Sequence, residues 1–162
     1  MSSKIPTIKQ AAWISVIPQI ILMTVLVFIF YYFQFEEYLI NGVVAYLIIS
    51  FLLRTQIPKS HRHGMSLVKQ KQFENAISYF EKSLEFFESN EWIDKYRFIV
   101  LLSSSKITYR EMAFVNIAFC YSQIGKGEKA REYYNIALEN YPDSEIAKTA
   151  LNLMDSETKN KC

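Results

Sequence analysis

Between Ala11 and Leu53 the only charged side chains are Glu36 and Glu37. A stretch this long and this uncharged has few ways to fold. In water it would have to be covered on every side; in a bilayer it can stand as helix, with each backbone N–H and C=O satisfied within its own segment. As a helix, Ala11 to Phe33 reaches about 34 Å, enough to cross a hydrocarbon core of about 30 Å. Tyr38 to Leu53 reaches about 24 Å, and Phe35 before it and the aliphatic stem of Arg54 after it lengthen its grip. The "QFEE" linker between the runs is short and polar, so they predict a helical hairpin, with a shallow re-entrant second segment as the alternative. Pro18 either begins the first regular helix or kinks it. A cleaved signal peptide fits less well. Lys4 and Lys9 supply a basic start, but the apolar region is too long and no Ala-x-Ala site follows it.

Flanking charge predicts the orientation. Lys4 and Lys9 precede the first run, and Arg54, Lys59, Arg62, Lys69 and Lys71 follow the second, whereas the linker carries no Lys or Arg. Basic residues near span ends stay on the cytoplasmic side. The sequence therefore predicts an integral membrane protein of the cell (plasma or inner) membrane, with both termini cytoplasmic and a small acidic loop outside. "YYFQFEEY" reads as an aromatic belt at one interface.

From Arg54 onward charges recur regularly, and another pattern takes over. Phe114, Ile117, Ala118 and Tyr121 fall on one face of a helix, Gly125 and Gly127 supply a turn, Ala130, Tyr134, Ala137 and Leu138 form the face of a second helix, and Pro142 ends it. Two antiparallel helices cross closely only where side chains are small, and larger residues one or two turns away fill the flanking space. An upstream stretch repeats the scheme with Gly64, Leu67, Ala76, Phe80 and Ser83 in the places of Ala118, Tyr121, Ala130, Tyr134 and Ala137. It departs from the pattern at Ser60, His63 and Glu88, where Phe114, Ile117 and Pro142 stand downstream.

This spacing resembles the tetratricopeptide repeat, over roughly Ile57 to Pro142 apart from an insertion. The expected fold is all-α: a transmembrane hairpin (1–56), then a short solenoid of antiparallel helix pairs (57–155) and a flexible tail (156–162). Within the solenoid the repeats are expected at about 57–90 and 111–144. An inserted helix at about 91–107 has apolar spacing at Trp92, Tyr96 and Ile99, and a closing helix at 145–155 buries Ile146, Ala147, Ala150, Leu151 and Met154. Thr108 and Glu111 have capping-box spacing at the start of the second repeat.

The resemblance implies a concave groove lined by the first helix of each repeat. The corresponding residues here are His61, Met65, Val68 and Lys69, then Met112, Val115, Phe119, Ser122 and Gln123. Of these, Met65, Lys69, Met112, Val115, Phe119 and Gln123 are the candidate partner contacts. The Lys/Asn set with which chaperone-binding relatives hold a carboxylate is absent, since His61 and Val115 take the lysine place and Met65 and Phe119 the asparagine place. The implied partner is a protein offering an apolar helix or peptide. Besides that protein the chain meets the lipid bilayer, and self-association into a homo-oligomer is compatible with the pattern.

Other chemistry is poorly supported. Ser103 and Lys106 have Ser-x-x-Lys spacing but no Ser-Asp-Asn or Lys-Thr-Gly set accompanies them. His61 and His63 lack the further ligands that zinc needs, and the expected reading is a basic juxtamembrane segment with His63 partly packed. Gly125-Lys126-Gly127 follows a helix rather than a strand, so it is no phosphate loop. Cys120 and Cys162 form no CxxC pair. The 18 basic and 16 acidic residues nearly cancel, which excludes a bulk field for nucleic acid. No catalytic residue, metal or cofactor is expected. Two functions remain: a membrane-anchored interaction module or scaffold at the cytoplasmic face, or an accessory, self-assembling subunit of a membrane complex whose groove is filled from within.

Overall fold

The computed structural model describes residues 12–159, and every regular element in that range is helical. Lys4, Lys9 and Cys162 lie outside it. A turn of 3-10 helix at Trp13–Ser15 leads into α1 (Val16–Tyr32), followed by α2 (Tyr38–Gln56), α3 (Lys59–Lys69), α4 (Phe73–Ser89), α5 (Glu91–Lys95), α6 (Arg97–Val100), α7 (Tyr109–Gln123), α8 (Gly127–Asn140) and α9 (Glu145–Lys159). The chain divides into two compact units. One holds the residues up to Arg54 together with Tyr96–Ile107; the other holds Thr55–Lys95 and the chain from Thr108 onward.

The first unit is the hairpin of α1 and α2 with the Tyr96–Ile107 segment. Its polarity is inverted relative to a protein in water. The apolar side chains of both helices are largely exposed, Ile17, Ile21, Phe28, Leu47, Ile48 and Phe51 among them. Within the two helices and the turn before them, the buried residues are small or polar: Ser15, Gly42 and Ser50. Half-buried Tyr46 donates its hydroxyl to Gln19 Oε1 at 3.3 Å. Gly42 is required where the helices meet, because a Cβ there would stand 2.6 Å from Val27 Cα, closer than atoms can approach.

The second unit is built of helix–turn–helix pairs. α3 packs on α4 and α7 on α8, α7 also lies against α4, and α9 packs on α8. The two pairs turn in the same way. After α3, Lys71 adopts a left-handed backbone (φ 60°), and after α7, Gly125 does so (φ 76°). In both turns the next N–H reaches back to close the helix: Gln72 to the carbonyl of Leu67 at 2.9 Å, Lys126 to that of Tyr121 at 3.0 Å. This is the Schellman arrangement, which satisfies carbonyls that a helix end leaves unpaired. α8 stops at Asn140, and exposed Pro142 follows.

The inserted segment differs from its sequence expectation of one apolar helix at 91–107. It forms two short helices, α5 and α6, then irregular backbone to Thr108. Trp92, Tyr96 and Ile99 are exposed, while Ile93, Leu101 and Leu102 are buried. The cause is visible in Arg97. Its side chain is buried and donates from Nε to Ser105 O at 3.1 Å and from an Nη to Lys106 O at 2.7 Å. Folding the chain back onto Arg97 in this way, with Leu102 at φ 48°, is incompatible with a continuing helix.

Candidate protein-binding face

Two apolar clusters fix the first helices of the pairs. In one, Ala76, Ile77 and Phe80 of α4 meet Ile117 and Cys120 of α7. In the other, Phe114, Val115 and Ala118 of α7 meet Ala130, Tyr134 and Ala137 of α8 and Ala147 of α9. Gly64 lies on the Phe80 ring so closely that a Cβ would be 2.8 Å from Cε1. Gly64, Ala76, Phe80, Phe114, Ile117, Ala118, Ala130, Tyr134 and Ala137 are therefore all buried, and Leu67 and Tyr121 pack half-buried against the first cluster. Burial pushes the Cys120 thiol up to about 11 and the Tyr134 phenol up to about 12, so neither ionises near neutrality.

The start of α7 is held at two points. Thr108 Oγ1 accepts from the Glu111 N–H at 3.1 Å. The buried Asp94 carboxylate accepts from the N–H groups of Tyr109 at 2.8 Å and Arg110 at 3.0 Å. A carboxylate at a helix N-terminus satisfies orphan donors and opposes the helix dipole. The Arg110 side chain also pairs with Glu91 at 2.7 Å.

With the helices so fixed, the candidate contacts separate. Met65, Met112 and Phe119 are half-buried, and Lys69 and Gln123 are exposed. The Phe119 ring meets that of Phe73 edge-on, with centroids 6.1 Å apart. Val115 does not belong with them: it is 8% exposed and sits in the cluster with Ala130 and Ala147. His61 is likewise not a groove residue. It is 6% exposed and caged by the rings of Phe80 and Tyr109, at 5.4 and 5.5 Å between centroids. Nδ1 has no hydrogen-bond partner, and burial lowers the imidazole to about 4. His63, the histidine expected to be partly packed, is the exposed one, with its ring 4.3 Å from that of Tyr79.

Ser103 Oγ accepts from Ser105 N at 3.3 Å, and the Lys106 side chain is exposed. Among the described residues no three His, Cys, Asp or Glu side chains converge as metal ligands.

Together these features define a class, an α-solenoid of small-to-large packed helix pairs. Two segments specify it further. Residues 61–90 and residues 112–144 each match a tetratricopeptide-repeat family model. A comparison with curated proteins gave no match. Such repeats support a protein-interaction or scaffold role and are in general non-enzymatic.

Proposed function

We propose that the hairpin anchors this chain in the cell membrane and that the repeat unit, on the cytoplasmic side, binds a protein partner. The partner offers an apolar helix or peptide to Met65, Met112 and Phe119, with Lys69 and Gln123 at the rim. The observation that carries the anchoring is the inverted hairpin. Burying apolar area is worth about 25 cal/mol per Å² in water, so helices that expose Ile, Leu, Val and Phe while enclosing Ser, Gly and a Gln–Tyr pair are matched to a solvent without water. The flanking Arg54, Lys59 and Arg62 favour the cytoplasmic orientation.

The test has two parts. A cysteine in place of Phe35, beside Glu36, should react in intact cells with an impermeant thiol reagent, whereas one in place of Ser156 should react only after lysis. Reaction of the Ser156 position in intact cells would overturn the orientation. A photo-crosslinking amino acid at Phe119 should capture one discrete protein in native membranes, and Met112→Gln should abolish that capture without lowering the melting temperature. Capture of the chain's own copies alone would replace this reading by the self-assembling accessory subunit.

A further inference from the structure

The Tyr96–Ile107 segment is attached to the hairpin by main-chain contacts at one level. Leu102, in a left-handed backbone conformation, turns its carbonyl oxygen to two partners: Gln19 Nε2, one turn into α1, at 3.2 Å, and the guanidinium of Arg54, in the last turn of α2. The Ser104 carbonyl accepts from Ala12 N, just before α1, at 2.9 Å. The segment thus bridges the start of the first apolar helix and the end of the second. A left-handed conformation is costly for any residue with a Cβ and persists only where the surroundings impose it.

The same segment points apolar side chains outward. Tyr96 is 51% exposed and Ile99 63%, although Leu101 and Leu102 beside them are fully buried. Lys106, also exposed, adds a positive charge at its far end. At about 1.5 Å per residue α2 spans about 29 Å, close to the hydrocarbon thickness, so a segment tied to Arg54 lies at the headgroup boundary of the layer that the hairpin crosses. Tyrosine is enriched at that depth, and basic side chains there meet anionic headgroups.

We infer that Tyr96–Ile107 is a third membrane-contact element, a short wedge whose Tyr96 and Ile99 side chains enter the interfacial lipid at the base of the hairpin. This rests on the reading of the hairpin as membrane-spanning. The occupant of the Tyr96–Ile99 face is lipid, because α6, which carries Ile99, packs on α1, and the Leu102 and Ser104 carbonyls fix the segment to the hairpin. The Arg97 guanidinium, which such a wedge would otherwise carry into lipid, is turned inward onto the carbonyls of Ser105 and Lys106.

Spin labels on the full chain, carrying Cys162→Ser and reconstituted in vesicles of phosphatidylcholine and phosphatidylglycerol, test this. Labels go at Ile99→Cys, Tyr96→Cys, Val44→Cys on the exposed hairpin face and Ser78→Cys on the exposed repeat surface. Collisions with oxygen, which partitions into lipid, should exceed collisions with a water-soluble nickel chelate several-fold at Val44, and less steeply at Ile99 and Tyr96. Ser78 should show the reverse. If Ile99 and Tyr96 both behave like Ser78 while Val44 remains in lipid, the wedge is wrong and the anchor stands. If Val44 also behaves like Ser78, the membrane reading fails and the wedge with it. The two failures are therefore distinguishable.

Discussion

The Asp94 carboxylate accepts the backbone N–H of Tyr109 at 2.8 Å, binding the end of α5 to the beginning of α7. Its second oxygen takes the N–H of Arg110 at 3.0 Å, and the residue is buried. Charge-assisted bonds to otherwise unsatisfied helix donors are strong, and losing the carboxylate leaves those donors dry. Asp94→Ala should cost about 2–4 kcal/mol of repeat stability, and Asp94→Asn, which keeps one acceptor, should cost less. Denaturant titration of the full chain in detergent micelles, followed by far-ultraviolet circular dichroism, measures both. Equal stability of Asp94→Ala and the parent would show that Thr108 alone suffices as the cap.

How far the sequence was legible follows from the range of each contact. Ala118, Ala130 and Ala137 could be placed because small residues at helical spacing encode a crossing within one pair, and the chain supplies both sides of it locally. Asp94 could not, because nothing local marks an acid as the cap of a helix that starts so much later. Val115 lies in the core cluster rather than on the groove side, and the long-range partners of that cluster on α8 and α9 are not encoded in the spacing within α7. The burial of His61 is not legible locally, because the Phe80 and Tyr109 rings that enclose it stand on two other helices. The inserted segment breaks into two short helices because buried Arg97 holds the backbone folded back on itself, which apolar spacing at Trp92, Tyr96 and Ile99 cannot reveal.

The matched turns of the two repeats give an asymmetric prediction. Lys71 and Gly125 hold the same left-handed position, but only glycine is free of steric cost there. Gly125→Lys should destabilise the repeat unit by about 1–2 kcal/mol. Lys71→Gly should be neutral or stabilise it by up to about 1 kcal/mol, since relief of strain is partly offset by the larger entropy of a glycine in the unfolded chain. Thermal melting of the two variants in parallel decides the matter. A clear loss on Lys71→Gly would mean that the lysine side chain contributes a contact outweighing its backbone cost.

Close helix crossings should be intolerant of added volume. Ala130 is fully buried, and Gly64 presses on a Phe80 ring that is itself fully buried and cannot move aside. Ala130→Leu and Gly64→Ala should each cost about 1–3 kcal/mol through overpacking. Lys126→Leu, at an exposed turn position, should change stability by less than about 0.5 kcal/mol. Comparable losses at all three positions would argue against the crossing geometry.

The last prediction concerns acid stability and rests on His61. In the folded chain burial lowers its imidazole from 6.5 to about 4, and its Nδ1 has no partner to stabilise a charge. The cleft beside it, about 210 Å³ in volume, is lined by Ser60, Ser83, Phe86 and the cationic Lys82, so no acid there offsets a protonated ring. Between pH 6.5 and 4 the unfolded chain therefore binds a proton at this residue that the folded chain refuses. Stability is full above the unfolded value and falls as pH drops through this window, with a total loss of about 3 kcal/mol once both forms are protonated. Carboxylates also titrate below pH 5, so the contribution of His61 is isolated by comparison with His61→Phe. That variant fills a similar volume, suits the cage of Phe80 and Tyr109, and cannot ionise. Between pH 7 and 5 the parent should lose about 1–2 kcal/mol more than the variant, read from denaturant midpoints at fixed ionic strength. Parallel pH profiles for the two chains would mean that His61 finds a proton partner on folding and that its cage is open to water.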